Sequence, residues 1–269
     1  MEIDNKYKRL QEYLTEMGSL CIAFSGGVDS TYLLDVCKKV LGDKVIAITV
    51  SSSMCPQREQ REAFDFAKRI GVKHIVIPAN EYEVPEFAEN GKERCYFCKK
   101  GIFTKIKEIA LEHGVEYVAD GSNLDDEGDY RPGMRAIKEL GVVSPLKIAG
   151  MTKQDIRELS KVNDLVTWDK PAMACLASRV PYGNEITVDK LDKIERAEEY
   201  LMTNGFRHLR VRYYDDLAKI EVPKEEILRV IEQADEIVDV FKEIGFISVA
   251  VDLKGYRMGS MNEALKLGE

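Results

Sequence analysis

The sequence predicts an α/β fold, a doubly wound parallel sheet, with a smaller C-terminal α+β domain behind it. Three observations carry that expectation. Short apolar runs alternate with helical patterns through the first part of the chain, a glycine turn joins the first run to the first helix of that series, and the texture changes beyond about residue 165.

The elements follow in order. MEIDNKYKRL at the N-terminus is charged and helical rather than leader-like. Strands buried on both faces read as continuous apolar runs, and 19–24, 44–50 and 73–77 fit that description, with helical periodicity at 28–40 and 57–70 between them. A helix at 102–113, a strand at 115–119 and helices at 134–140 and 153–162 come next, the last opening on Thr152 with Asp155 as a capping box. A sheet of this kind receives its ligand at the carboxyl ends of the strands. Then WDKPAMACLASRVPYG, loop-rich and proline-bearing, leads into a helix at 187–204 with apolar positions Val188, Leu191, Ile194, Ala197 and Leu201 that closes at Gly205. Strands near 208–213 and 217–222, a long helical stretch from Pro223 and a strand at 246–251 complete the smaller domain. The expected division is 1–165 and 166–269.

Composition narrows the function. The 269 residues are 45% hydrophobic and 32% charged, ordinary for a globular chain of one or two domains. A net charge of -8 weighs against nucleic acid as the main partner, because such binders neutralise phosphates with a basic surface. No apolar run approaches the roughly 18 residues of a membrane span. Cysteines at 21, 37, 55, 95, 98 and 175 are too scattered for a disulfide framework, so a reducing, cytoplasmic setting is expected. Cys21 and Cys37 sit in apolar patterns and belong to the core, whereas no motif claims Cys55.

SGGVDS at 25–30 falls where the first strand meets the first helix of the α/β series. Gly26 and Gly27 let the backbone approach an anion, while turn amides, the positive helix end and the hydroxyls of Ser25 and Ser30 supply donors. Asp29 is out of place beside phosphates unless it holds Mg²⁺. A tight turn with incidental serines is the plain alternative, disfavoured by the motif's position. The hexapeptide resembles the SGGxDS PP-loop of the ATP pyrophosphatase superfamily, which implies cleavage of ATP between its α and β phosphates and adenylation of a substrate oxygen. GxxxxGK[ST], the pattern of γ-phosphoryl transfer, is absent.

RCYFCKKGIF at 94–103, DGSNLDDEGDYRPG at 120–133, KPAMACLASRVPYG at 170–183 and RVRYYDDLAKIEV at 210–222 extend the match. With the PP-loop they resemble the LarE family of ATP-dependent sulfur transferases, which serve the nickel-pincer nucleotide cofactor of lactate racemase. The resemblance implies that a carboxylate of pyridinium-3,5-biscarboxylic acid mononucleotide is adenylated and converted to a thiocarboxylate. It places the nucleotide against the PP-loop, against Ser51 and Ser53 of the second βα loop, and against Gly121 and Asn123, with Ser122, Asp126 and Arg131 close by. Serines that precede a proline-opened helix are also ordinary turn and cap residues. Arg179, Arg210 and Arg212 are expected to face the substrate's carboxylates and phosphate, since guanidinium forks bind both anions and alternation puts Arg210 and Arg212 on one sheet face. Glu195, Glu198 and Glu199 are expected on a solvated helix face.

Two sulfur sources are open. Either Cys175 gives up its own sulfur, or Cys95, Cys98 and Cys175 hold a 4Fe-4S cluster by three thiolates, leaving one iron for an exchangeable sulfide; the CxxC favours the second. Zinc would need a fourth ligand, and a CxxC that merely opens a helix, with Cys98 on its buried face, is the structural alternative. A tRNA-thiolating enzyme and a non-enzymatic nucleotide- or cluster-binding sensor are the rival functions. Assembly of identical chains through the smaller domain is expected by analogy.

Overall fold

A computed structural model of the chain describes residues 2–79, 84–126, 132–171, 174–257 and 261. Two compact units emerge, one comprising 1–84 and 93–173, the other 85–92 and 174–269.

In the first unit, β1 (Leu20–Ala23) is the apolar run LCIA, with Leu20, Cys21 and Ile22 wholly buried. Each fully buried aliphatic side chain of this kind contributes about 1.5–3 kcal/mol. It pairs in parallel with β2 (Val45–Ser51), which pairs in parallel with β3 (Lys73–Pro78), and on its other side with β4 (Val118–Ala119). The order is therefore β3-β2-β1-β4, and a parallel bridge from Ala119 to Val143 extends it. Crossovers run outward through α2 (Val28–Leu41) and α3 (Gln57–Arg69), then return through α5 (Arg94–Glu112), leaving the topological switch between β1 and β4. The helices α1 (Glu2–Met17), α6 (Pro132–Glu139), α7 (Pro145–Ile148) and α8 (Lys153–Val162) complete this unit. The predicted capping box is present: Thr152 Oγ1 accepts from Asp155 N, and an Asp155 carboxylate oxygen accepts from Thr152 N at 2.8 Å.

The second unit holds α9 (Val188–Thr203), β5 (Arg210–Tyr214), β6 (Leu217–Glu221), α10 (Ile227–Glu232), α11 (Ala234–Ile244) and β7 (Ser248–Val251). β5 and β6 are antiparallel, β6 and β7 parallel. The short α4 (Pro85–Ala88) belongs here too, because the Asn90 amide donates to the carbonyls of Val180, Pro181 and Asn184. Phe206, Phe241 and Phe246 are buried in its core.

Several boundaries differ from expectation for identifiable reasons. α5 begins at Arg94 instead of 102 and runs through Gly101, a residue that costs about 1 kcal/mol in a helix yet is tolerated here on an exposed face. β4 shrinks to two residues because Val115 N still bonds Ala110 O at the end of α5. The helical stretch from Pro223 is broken into a 3-10 turn, α10 and α11, parted at Gln233. Against the expected division at 165, the units part at 173, since Arg157 holds the carbonyls of Trp168 and Lys170 and so keeps that stretch on the first unit.

Candidate active site

The PP-loop leaves β1 through Phe24, whose carbonyl accepts from Thr49 Oγ1 at 2.7 Å. Gly26 has φ +70°, and a Cβ there would lie 2.9 Å from the Cβ of Ala63 on α3, so glycine answers both the backbone and the packing. The hydroxyls of Ser25 and Ser30 are 3.1 Å apart, with Ser30 Oγ also donating to Gly27 O. Gly27 caps α2 without a side-chain bond, and Thr31 N closes the first helical turn on its carbonyl. The turn thus delivers the chain to the N-terminus of α2, the end of a helix whose free amides and dipole favour an anion.

The loop after β4 closes on it from the other side of the switch. A Cβ on Gly121 would lie 3.0 Å from Ser30 N, so any side chain there would have to push this backbone by a few tenths of an ångström. Asn123 Nδ2 donates to Asp29 Oδ1 at 3.2 Å while its Oδ1 accepts from Asp125 N. Asp126 accepts from Asn123 N, Asp125 accepts from Lys153 N at 2.7 Å, and Ser122 bonds Asp120. Arg131 lies outside the described residues.

Lys153 completes the arrangement. Its ammonium bonds Asp29 Oδ2, so the carboxylate expected to meet a metal sits between Asn123 and a cation. A lysine in the first turn of a helix opposes the macrodipole unless an anion answers it, which is the signal in MTKQDI that points to this residue. A second cation, Lys170, lies on the far side of the loop, donating to Gly26 O and paired with Glu59 and Glu62 of α3. Neither lysine was among the predicted site residues. In the second βα loop Ser51 Oγ donates to Gln60 Oε1, whose amide donates to the carbonyls of Ser52 and Cys55. The loop is thus pinned to α3, and Ser53 stands in its turn.

Among the cysteines, Cys21 and Cys37 are buried as expected; burial pushes the Cys21 thiol to about 12, and Cys37 higher still. Such thiols are inert. Cys95 and Cys98 occupy the first turn of α5 three residues apart, on one face; Cys95 is exposed and Cys98 partly so. Cys175 is exposed ahead of the 3-10 turn Leu176–Arg179, and none of the six cysteines is in a disulfide. Among the described residues no three His, Cys, Asp or Glu side chains are gathered as a metal site.

The arginines differ from expectation. Arg179 is wholly buried and paired with Glu198, and Arg212 pairs with Glu221 behind a nearly closed surface. Arg210 is also buried, with its guanidinium over the Tyr256 ring, and burial followed by the neighbouring Arg179 charge lowers its pKa. Glu198, expected in solvent, is 5% exposed because the buried guanidinium needs a buried counterion; Glu195 is intermediate and Glu199 exposed, as a helix edge requires.

Comparison with known proteins now adds to this geometry. The NAD synthase family model matches residues 2–106, the span from α1 into α5 that carries the PP-loop. An uncharacterised protein of Synechocystis sp. is 42% identical over 98% of this chain and 99% of its own. Pyridinium-3,5-bisthiocarboxylic acid mononucleotide synthase of Lactiplantibacillus plantarum is 34% identical over 94% of this chain and 92% of its own. The chain belongs to that synthase family. For a LarE-family protein the fold is the expected one, a parallel sheet flanked by helices with a PP-loop after β1. Among the described residues no helix is long and apolar enough to cross a membrane.

Proposed function

We propose that this protein is an ATP-dependent sulfur transferase that adenylates a carboxylate of pyridinium-3,5-biscarboxylic acid mononucleotide and converts it to a thiocarboxylate. The observation that carries the proposal is the near full-length match to the synthase, extending through both units, joined to a PP-loop in the first.

The substrate carboxylate oxygen attacks the α-phosphorus of ATP, the bond to the bridging α,β oxygen breaks, and pyrophosphate leaves. Sulfur then attacks the acyl-adenylate carbonyl and AMP departs, a far better leaving group than the original oxygen. The amides of Gly26 and Gly27, with Ser25, Ser30 and Lys153, hold the polyphosphate; Gly121 and Asn123 shape the other wall. Ser51 and Ser53 line the adenosine side. Mg²⁺, where bound, neutralises phosphate charge, and Asp29 is the carboxylate that would receive it. Of the three arginines expected to meet the substrate's anionic groups, Arg179 and Arg212 are held in buried pairs with Glu198 and Glu221, and Arg210 is the one that keeps that role.

Cys175 is the sulfur site. The family resemblance assigns Cys95, Cys98 and Cys175 to a 4Fe-4S cluster, which they would hold by three thiolates and which would supply an exchangeable sulfide and spare the polypeptide. The smaller domain binds the substrate and joins identical chains.

The test is anaerobic turnover with ATP and the pyridinium dicarboxylate, reading AMP, pyrophosphate and the mass of one oxygen-to-sulfur exchange. AMP formation that ignores the pyridinium substrate refutes the proposal. Iron and acid-labile sulfide of about four each per chain support the cluster; negligible iron, with one turnover per chain and a mass loss at Cys175, assigns the sulfur to that residue instead.

A further inference from the structure

We infer that Arg179 is a positioning residue for Cys175, an inference that rests on the proposed role of Cys175 as the sulfur site. Its guanidinium has no exposed surface. Nε and Nη2 donate to the two carboxylate oxygens of Glu198 at 2.9 Å each, a bidentate pair. The remaining nitrogen, Nη1, donates to Ala174 O at 2.6 Å, to Cys175 O at 3.1 Å and to Ser178 Oγ at 3.0 Å.

Those two carbonyls belong to the peptide planes on either side of the Cys175 α-carbon. Holding both from one nitrogen sets φ and ψ of Cys175, and with them the direction of the bond to its side chain. Cys175 O also accepts from Ser178 N at 2.9 Å, so the Cα–Cβ bond of this exposed residue is aimed from beneath by its own turn and by a side chain that never reaches solvent. The grip is braced. Glu198 Oε1 also accepts from Val211 N of β5, and Arg212 donates to Ser178 O at 2.9 Å while pairing with Glu221. The Cys175 turn is thereby fastened to the sheet of the second unit through two buried ion pairs. For Arg179 to meet a substrate anion it would have to abandon Glu198, stranding a buried carboxylate.

The experiment compares Arg179→Lys, which keeps a charge opposite Glu198 but lacks the fork, with Arg179→Met/Glu198→Gln, which leaves no buried unpaired charge and retains an acceptor for Val211 N. Each is assayed for melting temperature, substrate-dependent ATP–pyrophosphate exchange, KM for the pyridinium dicarboxylate, and thiocarboxylate formation, beside Cys175→Ala. The double variant is expected to melt cooperatively. Exchange and KM are expected within twofold of wild type in both, with thiocarboxylate formation down at least tenfold. A tenfold rise in KM with a parallel loss of exchange overturns the inference and makes Arg179 a substrate ligand. Unchanged thiocarboxylate formation in either variant also overturns it. If Cys175→Ala still forms thiocarboxylate, the failure lies instead with the role of Cys175.

Discussion

Replacing Gly26 by alanine places a methyl group 2.9 Å from the Cβ of Ala63 and forces an L-residue to φ +70°. The left-handed backbone costs about 1–2 kcal/mol. The steric overlap is with the start of a side chain on α3, not the end of a flexible one, and overpacking of that kind costs about 1–3 kcal/mol. The sum, about 2–5 kcal/mol, divides into parts that a double-mutant cycle separates. Ala63→Gly alone costs about 1 kcal/mol as a helical glycine. In the double variant the nearest contacts become the Cα of residue 63 at 3.3 Å and Glu59 O at 3.4 Å, which a shift of a few tenths of an ångström relieves. Urea denaturation should therefore show a coupling of about 1–3 kcal/mol in favour of the double variant, while the backbone cost persists. ATP affinity, measured by calorimetry, should weaken in Gly26→Ala and partly recover in the double variant. Effects that add to within about 0.5 kcal/mol would mean that α3 does not brace the loop, and the packing account of Gly26 fails.

Lys153→Gln removes the cation beside Asp29, and at about 1.5–3 kcal/mol for a charge-assisted bond ATP should bind roughly 10- to 100-fold more weakly with little change in melting temperature. An unaltered Kd excludes Lys153 from the phosphate site. His74 lies against Phe24 and Phe64 and must donate from Nε2 to Thr49 Oγ1, since that hydroxyl donates to Phe24 O; Nδ1 is then a buried acceptor without a hydrogen bond. Burial lowers its pKa below the ordinary 6.5, so the folded state prefers the neutral ring. Its contribution is present above pH 6.5 and is lost as pH falls through the folded value; urea midpoints at successive pH values should fall more steeply in wild type than in His74→Gln, and parallel curves refute this. Lys170→Met leaves the buried Glu59 without its ammonium and should cost about 3–5 kcal/mol in denaturant stability, largely restored by adding Glu59→Gln; no restoration excludes the ion pair as the cause.

The sequence by itself determined the alternation of strands and helices, the glycine turn at SGGVDS between a strand and a helix, the buried fate of Cys21 and Cys37, and the capping box at Thr152, because each rests on side chains a few residues apart. A period of two or of 3.6 residues, or a glycine turn at a strand end, is a local property that survives into the fold. The start of α5 was only half legible: the CxxC could be read as opening a helix, but Gly101 is unfavourable within one, and its exposed place on the helix is what makes it tolerable. Charge partners were illegible for a different reason. Lys153 meets Asp29 across 124 residues and Lys170 meets Gly26 across 144, and no spacing rule reaches that far. Arg179 and Glu198 look like surface residues in any local window. Tertiary structure alone made them a buried pair, since packing the turn Leu176–Arg179 against α9 and β5 takes both charges out of water and each must then satisfy the other.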